Sequence, residues 1–335
     1  MRVSNIFRAL ALAGLVATPA AHADALISNG TIRMGVTSYG SLVVTDPDPT
    51  ATQGATGLRY LPTNGEALAP GCWCEAWGAA DATSLRQGNA GQATGNENII
   101  AESFTSSAST ATAVTRINDG TDLFRVTHQF APSARPELYQ VTVTVENISG
   151  AAAQLRYRRA MDWDVPTTEF SELVTLYTGS ASNIAFTSDD GFASGNPLSG
   201  PSSILFTGQA TDSGPEDHGA LFDFDFGTLA AGASKQFTIF YGAAGTQANA
   251  LAALSAVGAE AYSLGKADPA QTGLPNGEPN TFIFGFQGVG GTPVDPGGQV
   301  PPKAVPAGSP AGYALMAVML AGLAFMRLNR QRKAG

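Results

Sequence analysis

Asp162-Trp163-Asp164, with Glu169 and Glu172 close behind, is the acidic grouping best placed to do chemistry. In an extended strand, residues two apart share a face, which sets Asp162 and Asp164 roughly 6–7 Å apart. Two carboxylates at roughly 5–9 Å are what glycoside hydrolysis requires. The same pair suits a divalent cation or sugar hydroxyls. Trp163 points to the opposite face, so it forms no sugar platform with them. Arg156, Arg158 and Arg159 lie just upstream and offer the competing account, a structural cluster neutralised by arginine. We take that account as the working expectation. It leaves Asp162 and Asp164 as candidate ligand residues, with no catalytic residue, cofactor or metal assigned and no enzymatic activity expected.

Trp73 and Trp77 sit in a Gly/Cys-rich loop and are the other candidate ligand residues, able to offer aromatic faces to a glycan or to pack beneath the loop. Cys72 and Cys74 flank Trp73. Their spacing is awkward for a bridge in an extended strand, but a turn at Trp73 brings them into range, so a tight Cys72–Cys74 disulfide is expected. Asp189-Asp190-Gly191 and the run Asp212 to His218 are acidic loops without the spacing of a calcium loop, and read as solvated turns. His128 falls in a strand and reads as structural. No Gly-x-Ser-x-Gly elbow, His-Glu-x-x-His pair or phosphate loop occurs, so serine and zinc hydrolases have no support.

The elements that must position these residues are mostly strands. Leu26 to Val36 reads as a hairpin turning at Asn29-Gly30. Ser41–Thr45, Ile99–Phe104, Thr112–Ile117 and Leu123–Phe130 follow. Leu138–Glu146 alternates most clearly, turns at Asn147 to Gly150, and returns as Gln154–Trp163. Gly219–Phe226 and Lys235–Tyr241 read as a second hairpin, and Phe282–Phe286 as a last strand. One helix is expected over Gln247–Leu264, capped by Thr246 and stopped by Gly265, with Leu251, Leu254, Val257, Ala261 and Leu264 on its buried face. Residues 46–57 and 86–98 read as long loops. The pattern implies an all-β fold, a large antiparallel β-sandwich over 24–290 with one packed helix. Its size suits the galactose-mutarotase-like supersandwich as an analogy of architecture, which transmits no activity. Two smaller sandwiches dividing near residue 190 are the alternative.

Composition agrees with a globular exported body. The 335 residues include 39 Gly and 20 Pro, and only 13% are charged, which excludes a coiled coil and a disordered acidic tail. Residues 1–23 have the layout of a cleaved export signal: Arg2 and Arg8, an apolar run from Ala9 to Ala17, then Ala21-His22-Ala23. Residues 291–310 are a Pro/Gly linker. Ala311 to Met326 is free of charge, and 311–328 is expected to cross a membrane as a helix. A basic tail holding Arg327, Arg330, Arg332 and Lys333 should stay cytoplasmic. Setting these tail residues and Arg2 and Arg8 aside leaves 12 basic side chains against 27 acidic, so the body carries about −15. That field excludes nucleic-acid binding.

Short motif, apolar helix and basic cluster at the end of an exported chain resemble the bacterial tripartite sorting tails read by exosortase-type enzymes, the PEP-CTERM and IPTL-CTERM classes. The corresponding string is Val305-Pro306-Ala307-Gly308-Ser309-Pro310. It keeps Val305, Pro306 and Pro310 but lacks the Glu of the first class and the Thr-Leu of the second. The resemblance covers 305–335 and implies a membrane intermediate, a sorting protease or transpeptidase as partner, and delivery to the cell surface. A plain tail anchor is the other account. Gly57 to Pro62, Arg156 to Asp164 and Gly258 to Tyr262 make the body resemble exported bacterial domains joined to interchangeable anchors, which implies surface location and assigns no activity. The expected function is therefore a structural or adhesive surface protein. The alternatives are a carbohydrate-binding or carbohydrate-active module, with a surface glycan as partner, and a permanently tail-anchored periplasmic protein.

Overall fold

A computed structural model describes residues 24–268 and 276–295. The export signal, the string at Val305, Pro306 and Pro310, the helix expected at 311–328 and the basic tail lie outside the described residues. Among the described residues no helix is long and apolar enough to cross a membrane.

Short pieces come first: β1 (Ala25–Ser28), β2 (Ile32–Val36), β3 (Val44–Thr45), β4 (Ala55–Thr56), β5 (Leu58–Tyr60) and β6 (Gly65–Glu66). Longer strands follow as β7 (Glu75–Asp81), β8 (Arg86–Gly91), β9 (Ile99–Ser106), β10 (Ala111–Asn118), β11 (Asp122–Pro132), β12 (Leu138–Asn147) and β13 (Ala153–Asp162). The second half holds β14 (Glu172–Tyr177), β15 (Ile184–Ser188), β16 (Ala210–Glu216), β17 (Gly219–Leu229), β18 (Ser234–Ala244), α1 (Gln247–Ala256), β19 (Ala261–Lys266) and β20 (Thr281–Gln287).

The structure is mostly β-sheet. A nine-stranded sheet runs β16-β14-β19-β20-β18-β12-β11-β10-β9, and a five-stranded sheet runs β15-β17-β13-β7-β8. Their inner faces share one apolar core. Phe222 and Phe224 of the smaller sheet each meet Phe286 of the larger at 4.8 Å between ring centroids. Val141, Val143 and Val145 face this core, as their alternation requires. A four-stranded sheet, β1-β2-β5-β6, joins the same core through Ile27, Ile32, Met34 and Leu58. Strands from both sides of residue 190 interleave in both large sheets, so no boundary falls there.

Four sequence expectations change. The segments 138–146 and 154–163 are not a hairpin: β12 pairs with β11 and β18, whereas β13 lies in the other sheet and pairs with β7 and β17. β17 and β18 are split in the same way. Each connection is an arch from one layer to the other, and alternation alone cannot separate an arch from a hairpin. Buried Asn147 pins the two arches together, its Nδ2 donating to the carbonyls of Ala151 and Leu229 at 2.8 Å each.

The helix is shorter than expected. It starts at the Thr246 cap, whose Oγ1 accepts the Asn249 N–H, but ends at Ala256. Gly258 then takes a left-handed φ of 69°, and Ala261 and Leu264 belong to β19. A strand buried on both faces has no polar alternation, so its apolar residues imitate a continuing helix. Leu251 and Leu254 pack on the outer face of the large sheet against Phe240, Tyr262 and Ile283. For the same reason the region 86–98 is not all loop: Arg86–Gly91 is β8, and β7 beside it is buried throughout.

A fully buried ion pair lies on the inner side of β13. Arg159 of β13 pairs with Glu75 of β7, both fully buried. Glu75 Oε1 also accepts from the Tyr241 hydroxyl at 3.3 Å, and Oε2 accepts the Leu42 N–H at 2.8 Å. Arg159 donates to the Gly40 carbonyl at 3.1 Å and lies over the Tyr241 ring. The pair thereby fastens the loop before β3 to both sheets. Removing one partner of such a pair leaves a buried charge alone, which costs about 3–5 kcal/mol. Arg159→Met is expected to lower the urea unfolding free energy by about that amount, and Glu75→Gln in the same chain to recover part of it. An Arg159→Met protein as stable as the parent would show that the pair does not hold the layers together.

Candidate functional site

β13 decides where its charges go. Leu155, Tyr157, Arg159 and Met161 point into the core, and the alternate residues point away from it. On that outer side Arg158 makes a two-pronged pair with Asp223 of β17, at 2.6 and 2.8 Å, and donates to the carbonyls of Ser194 and Ser199. Arg156 reaches Asp225 at 3.5 Å. Arg159 is committed to Glu75 on the inner side. The arginine-neutralised cluster expected from proximity in sequence is therefore not formed: among the described residues, neither Asp162 nor Asp164 pairs with an arginine or lysine.

Backbone contacts fix the two aspartates at the end of β13. The Asp162 N–H donates to the Cys74 carbonyl at 2.8 Å, and the Asp164 N–H to the Ala67 carbonyl at 3.0 Å. Between them the Trp163 N–H donates to the His218 carbonyl at 3.3 Å, bringing in the residue that precedes β17. This approach needs Gly219, because a Cβ there would stand 1.9 Å from the Met161 carbonyl oxygen. Asp217 thus arrives beside the pair. One carboxylate oxygen from each of Asp162, Asp164 and Asp217 lies within 4.8 Å of the others. Asp162 and Asp164 are buried, and Asp217 is exposed.

The electrostatics follow from burial among like charges. Asp162 is pushed up to about 7 by burial, with Asp217 and then Asp190 adding repulsion. Burial, followed by Asp162, Asp217, Glu169 and Glu66, raises Asp164 to about 8. Glu172, at the start of β14, is raised to about 9, chiefly by burial; the His218 N–H on its Oε1 partly offsets this, and Asp162, Asp164 and Asp217 add to it. Glu66 is raised to about 6 by burial, although the N–H groups of Leu58, Leu68 and Ala69 stabilise its charge. Neither oxygen of Asp164 has a hydrogen-bond partner, nor does Oδ1 of Asp162. Cys72 Sγ approaches Asp162 Oδ2 to 3.6 Å, but a disulfide sulfur has no proton to donate. The arrangement has two chemical states, protonated carboxyls that donate, or ionised ones that surround a cation.

The other singled-out residues fare differently. Trp77 is fully buried, donates to the Tyr39 carbonyl at 2.9 Å and meets His128 edge-on, so it offers no face to a glycan. Trp73 is half-buried against the core, and its φ of 53° makes the turn across which Cys72 and Cys74 are bonded, with Cα atoms 5.1 Å apart. Asp189 and Asp190 are not solvated. Asp189 accepts from the Leu205 and Phe206 N–H groups and pairs with His218 Nδ1 at 3.0 Å, while Asp190 accepts from Ser202 and Ser203. Asp189 and Asp190 fold inward because they satisfy backbone donors of residues 202–206, whereas in the second run Asp212 to Glu216 belong to strand β16 and residues 214–217 stay exposed. Asp212 pairs with Lys266. His128 is a core residue bonded to the Tyr157 hydroxyl at 3.0 Å. Sequence reasoning missed Asp217 as a companion of Asp162 and Asp164. It also missed Phe170, which is 49% exposed and holds a left-handed φ of 68°. No sequence signal links either to β13.

No family model matches the chain, and no curated protein matches it. Among solved structures it is similar to a galactose mutarotase-like protein from Lactobacillus casei ATCC 334, at 12% identity over 82% of this chain and 91% of that one, with a TM-score of 0.33. A putative aldose 1-epimerase from Escherichia coli K12 aligns at 10% identity over 81% and 89%, with a TM-score of 0.31. A galactose mutarotase related enzyme from Lactobacillus acidophilus aligns at 12% over 84% and 91%, with a TM-score of 0.30.

The raised carboxyls set a direction for stability. Between the ordinary carboxylate range near 4 and the raised values of about 7 to 9, the folded chain holds more protons than the unfolded one, so stability falls as pH rises through that window. Asp48 and Asp81, which are lowered, act in the opposite sense at more acid pH. In the presence of a chelator, the thermal midpoint is expected to fall from pH 5 to pH 9, and Asp164→Asn to flatten the decline. A profile that rises across the same range would contradict the electrostatics described.

Proposed function

We propose that the body is a calcium-binding module of structural or adhesive type, carried to the cell surface. The observation that carries the cation reading is Asp164. It is buried to 1% exposure, neither carboxylate oxygen is hydrogen-bonded, and it faces Asp162 and Asp217 with no arginine paired to the group among the described residues. A buried carboxylate without partners is costly, and a divalent cation removes both the desolvation cost and the repulsion. The donor set is all oxygen, which favours a hard cation, and calcium tolerates an irregular shell better than magnesium. The surface location rests on the signal at 1–23, the tail at 305–335 and the acidic body.

Two measurements test the two halves of this reading. Calcium at about 100 times its dissociation constant should add about 2.7 kcal/mol to stability, or about 5 °C in the thermal midpoint. Asp164→Asn should remove the increment, and an unchanged midpoint in excess calcium would sink the cation reading. For the location, intact mass of native protein from membrane, periplasm and medium should show loss of everything after about Pro306 on surface or released protein. Retention of Arg327 to Gly335 in the membrane fraction alone would mean a permanent tail anchor.

A further inference from the structure

Among the described residues Phe170 is one of four large apolar side chains left exposed, with Leu85, Ile100 and Leu205, and its position is particular. Its ring packs on Gly71. A Cβ added to Gly71 would stand 2.9 Å from Phe170 Cε1 and 3.6 Å from Asp164 Oδ2, so the ring and the carboxylate flank the same point of backbone. A left-handed φ is unfavourable for a bulky residue, yet Phe170 adopts one and keeps its ring half in water. A half-exposed aromatic side chain therefore stands near Asp164, whose carboxylate groups with those of Asp162 and the exposed Asp217.

We propose that this edge binds a neutral saccharide, two adjacent hydroxyls of which complete the shell of a calcium ion held by Asp162, Asp164 and Asp217 while the sugar ring lies on Phe170. This rests on the cation reading above. Calcium takes six to eight oxygens, and three carboxylates leave positions that water or ligand hydroxyls fill. A pair of vicinal hydroxyls offers two oxygens at a spacing one cation can accept. The C–H face of a pyranose is apolar and flat, and covers an aromatic ring as an orienting surface. The body carries about −15, so an anionic polysaccharide is repelled at long range and a neutral one is favoured. Asp164 is the second observation that distinguishes this from an ordinary acidic surface: it is buried, unpartnered and directed into the group.

The test uses the protein purified in excess calcium, a panel of methyl glycosides (mannoside, fucoside, galactoside, glucoside) read by ligand-observed NMR, and an array of neutral oligosaccharides. Binding to at least one neutral sugar is expected, abolished by chelator and by Asp164→Asn. Phe170→Ala should still take up calcium, with its thermal increment intact, and should bind the sugar about tenfold more weakly. Calcium uptake with no sugar bound in panel or array would overturn this proposal and leave the cation reading standing. Absence of calcium uptake would overturn both. Sugar binding that persists in chelator, or is unchanged in Phe170→Ala, would overturn the shared site.

Discussion

The Arg159–Glu75 pair is sealed between two sheets, and the layout of charge around β13 depends on it. An isolated guanidinium in that core would cost more than the fold can offset, so Glu75 of β7 must stand opposite. That requirement fixes β7 beside β13, and Glu75 in turn holds the Leu42 N–H and the Tyr241 hydroxyl. Arg158 is committed to Asp223 on the other side of the strand. Every arginine of β13 has its carboxylate before the chain reaches Asp162. The cluster at the strand end is acidic because the positive charge nearest in sequence is already bound.

Such a cluster opposes folding, and the structure retains it with backbone rather than with countercharge. Asp162, Trp163 and Asp164 each donate an amide to a different segment, from Cys74, His218 and Ala67. Glu172 and Glu66 are held by amides as well. Asp162 and Asp164 are positioned by their own main-chain amides, which do not depend on side-chain ionisation, whereas the amides on Glu66 and Glu172 favour the ionised form. A group arranged this way can change its charge state without losing its geometry, which is the property a cation site requires.

The long strands were legible because one face is buried and one is not. Leu138–Glu146 and Thr112–Ile117 alternate cleanly and stand in the fold as β12 and β10. β7 and β19 are buried on both faces, so the same rule passes over β7 and reads β19 as helix. At the site, Asp162 and Asp164 were visible as a pair because their spacing is local. Asp217 was not, since it reaches them only through the close approach at Gly219. The expectation of arginine neutralisation failed because Arg159 turns inward to Glu75, while Arg156 and Arg158, on the same face as Asp162, are taken by Asp225 and Asp223 of the adjacent β17. Of the two readings open for Trp77, packing holds and a glycan-facing ring does not, although the Gly/Ala-rich segment around it is a buried strand and not a loop.

The two arches carry a consequence for how the molecule comes apart. β12 leads into β13 and β17 into β18 across the layers, and Asn147 ties one corner to the other. Neither sheet is a continuous stretch of chain that could survive alone, because each borrows its central strands from a ribbon that the other also uses. Loosening one layer therefore withdraws strands from both. Unfolding should proceed as one cooperative event rather than sheet by sheet. The same pairings join residues far apart in sequence, so the body must close many long loops before any of them is rewarded, which places it among slow-folding topologies.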